Sequence, residues 1–256
     1  MIVSVANQKG GVAKTTSVFN IGVELARRGK KVLMVDFDAQ ASLTICAGLE
    51  PYEHERNIVS VIRDGTDVSE CVVPLKDNLY IVTSDIALAA QEMALVVRTM
   101  RELVLQKALE KVKDMYDYIL IDCPPQLSIL TINALSASDR VLIPCKTDYL
   151  SYRGLEQLND TVEVVRNEVN RKLEVLGIIA TLYEQRVKDD RDVLEYLHEK
   201  GTVITVVKKL AIAKKGIYSG MAVVEQDANN DIALAYKRVC DIIEKECKRC
   251  LLNKSV

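Results

Sequence analysis

Apolar positions along this chain fall into two alternating rhythms: short continuous runs, and longer stretches in which they recur every three or four residues. The runs Ile2–Ala6, Lys31–Asp36, Leu79–Thr83, Tyr118–Asp122, Arg140–Pro144, Leu176–Thr181 and Val203–Val207 are rich in β-branched and aliphatic residues and predict strands. Between them, helical periodicity covers residues 15–28, 85–113, 126–137, 152–172, 189–200 and 231–251. Strands that stay apolar throughout are buried on both faces, and intervening helices supply crossovers. The pattern therefore predicts an α/β fold with a mainly parallel, doubly wound sheet and helices on both faces. Ligands of such sheets bind outside the carboxyl ends of the strands. No repeat or low-complexity tract interrupts the pattern, and 256 residues suit a single domain spanning 1–256.

The first strand runs into Asn7-Gln8-Lys9-Gly10-Gly11-Val12-Ala13-Lys14-Thr15-Thr16 and then into helical periodicity. Gly10 and Gly11 let the backbone turn tightly and aim its N–H groups inward, and the following helix adds its positive end, which makes an anion site suited to the β- and γ-phosphates of a nucleotide. Lys14 supplies a point charge to those phosphates, and Thr15 a hydroxyl to a magnesium ion. The common phosphate-loop pattern G-x-x-x-x-G-K-[ST] would place glycine at positions 8 and 13, where this chain has Gln8 and Ala13. An alanine implies negative φ at position 13, so no left-handed residue is expected there. Two more strand ends carry aspartates, in Asp36-Phe37-Asp38 and in Asp122-Cys123-Pro124-Pro125. If those strands neighbour the first, Asp122 would hold the metal, Asp38 would orient or deprotonate an attacking water, and Asp36 would support the metal or the loop.

Residues 9–16 resemble the deviant Walker A box of the ParA/MinD family, K-G-G-x-G-K-[ST]-[ST], lacking only its last glycine. The stretch from Val32 to Thr44, VLMVDFDAQASLT, is similar to that family's V-L-x-V-D-x-D-P-Q-x-x-x-T, with Ala39 in place of proline. DYILIDCPPQLSILTINAL resembles its Walker B region. LYIVTSDIALAAQE and VLIPCKTDYLSYRGLEQL resemble its intervening elements, so the likeness covers residues 1–160 in order and continues more weakly to about residue 240. It is nearest to the small Soj-type ParA branch, since the loop begins at residue 8 and leaves no room for an N-terminal regulatory domain. The resemblance implies a Mg2+-dependent ATPase in which residues 9–16 (Lys9, Gly10, Gly11, Val12, Ala13, Lys14, Thr15 and Thr16) hold ATP. Thr15, Asp36, Asp38 and Asp122 serve the metal, and Lys9, Lys14 and Asp38 serve catalysis. It further implies an ATP-sandwich homodimer in which Lys9 reaches the partner's nucleotide, non-specific DNA binding in the ATP state, and a centromere-binding ParB-like partner that speeds hydrolysis. Plasmid or chromosome partition is the function that follows.

Charge and composition narrow the partners. A formal net charge of −2 confines any nucleic-acid footprint to a local patch. Lys208, Lys209, Lys214 and Lys215 lie in an acid-free stretch, and Arg186 lies in an earlier loop that follows a strand, so these residues form the candidate DNA face. The family's P-R-N-V-R-like segment is replaced here by Lys208-Lys209-Leu210-Ala211-Ile212. Seven scattered cysteines suit reduced core thiols rather than a disulfide frame. With no signal-like leader and no apolar run of membrane-span length, the expected location is the cytoplasm, on the nucleoid when ATP is bound. Three alternatives share the phosphate loop. A MinD-like membrane switch would use the tail Tyr236–Val256 as an amphipathic anchor, though its apolar spacing better suits a sheet-packed helix, and no stable membrane association is expected. A reductase akin to the nitrogenase iron protein would need cysteines placed differently from Cys123 and Cys145. A cargo-positioning or conjugation-associated ATPase differs only in its partner. His54 and His198 lie in polar stretches and are expected at the surface.

Overall fold

A computed structural model describes residues 1–209 and 220–253. Eight strands form one sheet in the order β3-β4-β2-β5-β1-β6-β7-β8. They are β1 (Ile2–Val5), β2 (Val32–Asp36), β3 (Val72–Lys76), β4 (Leu79–Val82), β5 (Tyr118–Asp122), β6 (Arg140–Lys146), β7 (Glu174–Tyr183) and β8 (Val203–Lys208). Every pairing is parallel except β3 with β4. The predicted doubly wound sheet is therefore present. The antiparallel strand β3 adds to the predicted set: Pro74 interrupts its pattern, and proline is tolerated there because β3 is an edge strand.

Helices α1 (Lys14–Arg27), α2 (Ser42–Cys46), α3 (Ile58–Asp64), α4 (Leu88–Leu95), α5 (Val104–Leu109), α6 (Ile129–Ala137), α7 (Tyr149–Glu168), α8 (Lys188–Lys200), α9 (Val223–Gln226) and α10 (Asp231–Asn253) supply the two outer layers. Alternate strand residues feed two cores. Ile119 and Ile121 of β5 join Leu33 and Val35 of β2 against α6 and α7, where Leu130, Ala134, Leu155 and Leu158 are buried. Tyr118 and Leu120 face the other way, with Val32 and Met34, toward Val18, Ile21 and Leu25 of α1 and Tyr236, Val239 and Ile243 of α10. Each such fully buried aliphatic side chain stabilises the fold by about 1.5–3 kcal/mol relative to exposure. Extending the same alternation by two residues turns Asp36 and Asp122 toward the α1 side, where the phosphate loop lies.

The single helix expected over 85–113 is instead broken into α4, a 3-10 turn at Arg101–Leu103 and α5. Met100 takes a left-handed conformation at the break, with φ of 55°. The buried Asn133 of α6 compensates for this interruption in backbone bonding: its Nδ2 donates to the Arg101 carbonyl at 2.7 Å and its Oδ1 accepts from Leu105 N–H at 3.1 Å. The tail helix α10 packs on the sheet, with Tyr236, Val239, Cys240 and Ile243 wholly buried, so apolar positions that a membrane anchor would present to lipid form core instead. Arg28, which caps the C-terminus of α1, ties α10 further through Asp241 at 2.7 Å and Glu244 at 2.9 Å. Among the described residues no helix is long and apolar enough to cross a membrane. His198 is exposed, as expected, whereas His54 is half-buried and its Nε2 is shielded from solvent.

Candidate nucleotide site

Register brings the site together. β5 lies between β1 and β2, pairing Val5 with Asp122 and Asp36 with Asp122, so the phosphate loop and both aspartate strand ends share one rim of the sheet. A cleft of about 400 Å³ opens there, lined by Gly10, Gly11, Ala13, Lys14, Thr15 and Thr16 of the loop and by Asp38, Gln40, Ser42, Ile45, Cys46 and Pro125 opposite. That volume falls within the range of roughly 300–1,000 Å³ usual for small-ligand sites.

The loop is braced from below and from the side. Asn7 Nδ2 donates to the Pro144 carbonyl at 2.8 Å, and Asn7 Oδ1 accepts from Lys9 N–H at 2.9 Å. Thr181 Oγ1 donates to the Val12 carbonyl at 3.1 Å, and Ser17 Oγ to that of Ala13 at 2.7 Å. Gln8 Nε2 reaches Gly154 O at 3.2 Å and Gln157 Oε1 at 2.6 Å on α7. Gly154 is needed for this approach, since a Cβ there would stand 2.7 Å from Gln8 Nε2. Gly11 has φ of 71°, as its role in the turn requires.

Ala13 overturns the expectation of negative φ. It caps α1 at φ 68° and ψ 32°, the left-handed region. The turn into the helix demands that conformation whichever residue occupies it, so alanine holds it against its own Cβ, at a cost of about 1–2 kcal/mol. The missing glycine is thus a local strain, not a sign of a different turn.

Lys14 is buried, and its Nζ donates to the Lys9 carbonyl at 2.9 Å across the turn. Burial lowers its pKa, an effect opposed by Asp122, Cys123 and Asp38. Thr15 Oγ1 donates to Asp122 Oδ2 at 2.6 Å. Asp122 Oδ1 is shielded from solvent and has no hydrogen-bond partner among the described residues. A bare carboxylate oxygen beside a threonine hydroxyl is a hard-donor set, so Thr15 and Asp122 fit a magnesium ion. Burial, and next the charge of Asp36, push the Asp122 carboxyl well above the usual range, while the Thr15 hydrogen bond and Lys14 oppose that rise. A bound cation would relieve this pressure.

Asp38 is half-buried at the cleft wall, its Oδ1 accepting from Gln40 N–H at 3.0 Å. Burial raises its pKa, with the Gln40 hydrogen bond and Lys14 opposing. Asp36 is wholly buried and pushed up to about 7, chiefly by desolvation. Its Oδ2 accepts from Thr44 N–H at 2.8 Å and from Thr44 Oγ1 at 2.7 Å, and its Oδ1 accepts from Asp38 N–H at 3.3 Å. Of the two roles anticipated for Asp36, this geometry favours support of the loop. Sequence reasoning alone gives Thr44 no role, although it occupies a threonine position of the family-like stretch. Only its burial beside Asp36, a tertiary fact, gives it one.

The described residues of the candidate DNA face lie on the same rim but at its edge. Arg186 is exposed in the turn after β7. Lys208 pairs with Asp231 at 2.6 Å and Lys209 with Glu184 at 2.7 Å, all four side chains about half exposed or more. Lys214 and Lys215 lie outside the described residues. The structure therefore places Lys9–Thr16, Asp36, Asp38 and Asp122 together and sets Arg186, Lys208 and Lys209 apart from them.

Comparison with known proteins points to a family and to its nucleotide. A family model described as an AAA domain, AAA_31, matches residues 1–175. The chain is 42% identical over 195 residues to the sporulation initiation inhibitor protein Soj of Bacillus subtilis (strain 168), covering 76% of this chain and 77% of that protein. It is 37% identical over 257 residues to the chromosome-partitioning ATPase Soj of Treponema pallidum (strain Nichols), covering 95% and 97%. Among solved structures, the cobyrinic acid a,c-diamide synthase of Mycobacterium smegmatis, with bound ATP analog and magnesium, superposes with a TM-score of 0.83 at 32% identity, covering 96% of this chain and 95% of that one.

Proposed function

This chain belongs to the ParA/Soj family of partition ATPases and uses ATP and Mg2+, and from that premise we propose that it is a dimerising DNA-segregation switch whose ATP state binds DNA without sequence preference. The observation that carries this reading is the meeting of the phosphate loop with Asp38 in one cleft, with the buried Asp122 bonded to Thr15 at the same sheet rim, in a chain similar to chromosome-partitioning ATPases. Partners consistent with it are a second copy of the chain, DNA and a ParB-like centromere-binding protein, with the ATP-bound dimer residing on the nucleoid.

In this mechanism the N–H groups of residues 10–14 and the Lys14 ammonium hold the β- and γ-phosphates, Lys14 exchanging its bond to the Lys9 carbonyl for phosphate oxygens. Thr15 and Asp122 would hold the magnesium ion, with Asp36 behind them. When bound, that ion offsets negative charge on the phosphate oxygens. Asp38 orients a water toward the γ-phosphorus and accepts its proton as the new P–O bond forms and the bond to the bridging oxygen breaks, leaving ADP and phosphate. Lys9 of the second copy stabilises the charge that builds on the transferred group. Catalysis is mainly positioning and electrostatic stabilisation, so dimerisation and hydrolysis are coupled.

The test is DNA binding by the purified protein with ATP, with ADP and without nucleotide, at two salt concentrations, alongside Asp38→Ala. Binding that requires ATP, weakens with salt and persists in the variant supports the reading. A nucleotide-driven dimer that binds no DNA in any state would overturn it in favour of a cargo-positioning role.

A further inference from the structure

We infer that Thr44 is a positioning residue for hydrolysis: with Asp36 it forms a buried clamp that fixes the loop carrying Asp38, and Asp36 acts through that clamp rather than as a direct ligand of the metal. The inference rests on Asp38 being the group that orients water.

The segment from Asp36 to Thr44 leaves β2, passes through Asp38 and returns in the first turn of α2. A single carboxylate closes it at both ends. Asp36 Oδ1 accepts from Asp38 N–H at 3.3 Å, and Oδ2 takes both the N–H and the hydroxyl of Thr44 at 2.8 and 2.7 Å. The Thr44 oxygen also accepts from Ser84 N–H at 3.1 Å, which anchors the loop to the chain leaving β4. Asp36, Thr44 and Ser84 are all buried, with relative exposure of 0%. Between the ends, Ala41 is held left-handed at φ 51°, and its N–H donates to the Asp38 carbonyl at 3.0 Å. Asp38 thus stands on a short, closed loop whose two feet share one buried acid.

Both oxygens of Asp36 are engaged within the protein, whereas Asp122 keeps Oδ1 without a partner among the described residues. Two carboxylates in register on adjacent strands therefore divide the work, Asp122 toward the cation and Asp36 toward the loop. Releasing the Thr44 hydroxyl would loosen Asp38 without removing a phosphate or metal ligand. Loss of orientation acts on kcat, while loss of uniform binding acts on KM.

The experiment compares Thr44→Val, Thr44→Ser and Asp38→Ala for steady-state ATPase kcat, KM for ATP, half-saturating Mg2+ and affinity for a fluorescent ATP analogue, with melting temperature followed in parallel. Thr44→Val, which keeps the shape and loses the hydroxyl, is expected to lower kcat about tenfold or more, with KM and half-saturating Mg2+ changed less than about twofold, and Thr44→Ser to recover most of the loss. Should Thr44→Val not fold, Thr44→Ala is read against Thr44→Ser in the same way. Unchanged kcat in the hydroxyl-free variant while Asp38→Ala is inactive overturns the clamp. A raised Mg2+ requirement in that variant also overturns it, since the network would then serve the metal. Full activity in Asp38→Ala instead overturns the role given to Asp38 itself.

Discussion

The centre and the edge of the carboxyl rim are built from similar residue types and behave oppositely. At the centre, where β1, β2 and β5 end, Lys14, Asp36 and Asp122 are buried, and backbone and hydroxyl hydrogen bonds fix their surroundings. At the edge, where β7 and β8 end, Lys208 and Lys209 sit in exposed pairs with Asp231 and Glu184. Exposed pairs of this kind contribute about 0–1 kcal/mol and are screened by salt, so either lysine can trade its acid for a phosphate with little loss. The centre is specific because its charged groups are buried and held by directed hydrogen bonds. The edge suits sequence-blind contact because its lysines are bound only weakly.

Substitutions should expose that contrast. Lys14→Ala removes the buried ammonium from a site that depends on it, and nucleotide affinity and hydrolysis are each expected to fall by about two orders of magnitude or more. The rise in melting temperature that Mg-ATP gives the parent protein, worth about 2.7 kcal/mol at a hundredfold excess over Kd, should fall to about 0.4 kcal/mol or less at the same ligand concentration. Calorimetry with and without nucleotide checks both. Asp38→Ala is expected to cut kcat by about 10²–10⁴-fold while ATP affinity stays within a fewfold, measured by turnover and equilibrium binding.

How far these features can be read from the chain differs by feature, for physical reasons. The phosphate loop, Asp38 and Asp122 are legible because each ends an apolar run, and the parallel sheet turns strand ends into neighbours. The break near Met100 is not, because its backbone groups are satisfied by Asn133, a residue some thirty positions away whose side chain looks like any helical amide. Thr44 belongs to a recognisable motif, yet its role emerges only from the placement of its hydroxyl on Asp36. The short helices α2 and α3 span too few residues for periodicity to declare them. Ala13 misleads for a sharper reason: residue type reports what a conformation prefers, and here the turn overrides the preference.

Smaller effects sharpen the same contrast. Lys208→Glu combined with Lys209→Glu should leave ATP turnover intact and weaken DNA binding, reducing the log–log salt slope by roughly 0.9 for each phosphate no longer neutralised. An unchanged slope in a filter-binding series would remove these two residues from the interface. Smallest of all, Ala13→Gly relieves the left-handed strain at φ 68° but loosens the unfolded chain, so a net stabilisation of about 0.5–1 kcal/mol is expected by denaturant titration.

The pairing of β5 between β1 and β2 also governs when the protein can first hold its ligand. Residues 9–16 leave the ribosome early, but Asp122 follows more than a hundred residues later and joins them only when β5 inserts between two strands already made. Because side chains alternate along a strand, an insertion one residue out of step would turn Asp122 to the opposite face. Magnesium and nucleotide can therefore stabilise only the correctly threaded sheet, since a chain with Asp122 turned away lacks the assembled site.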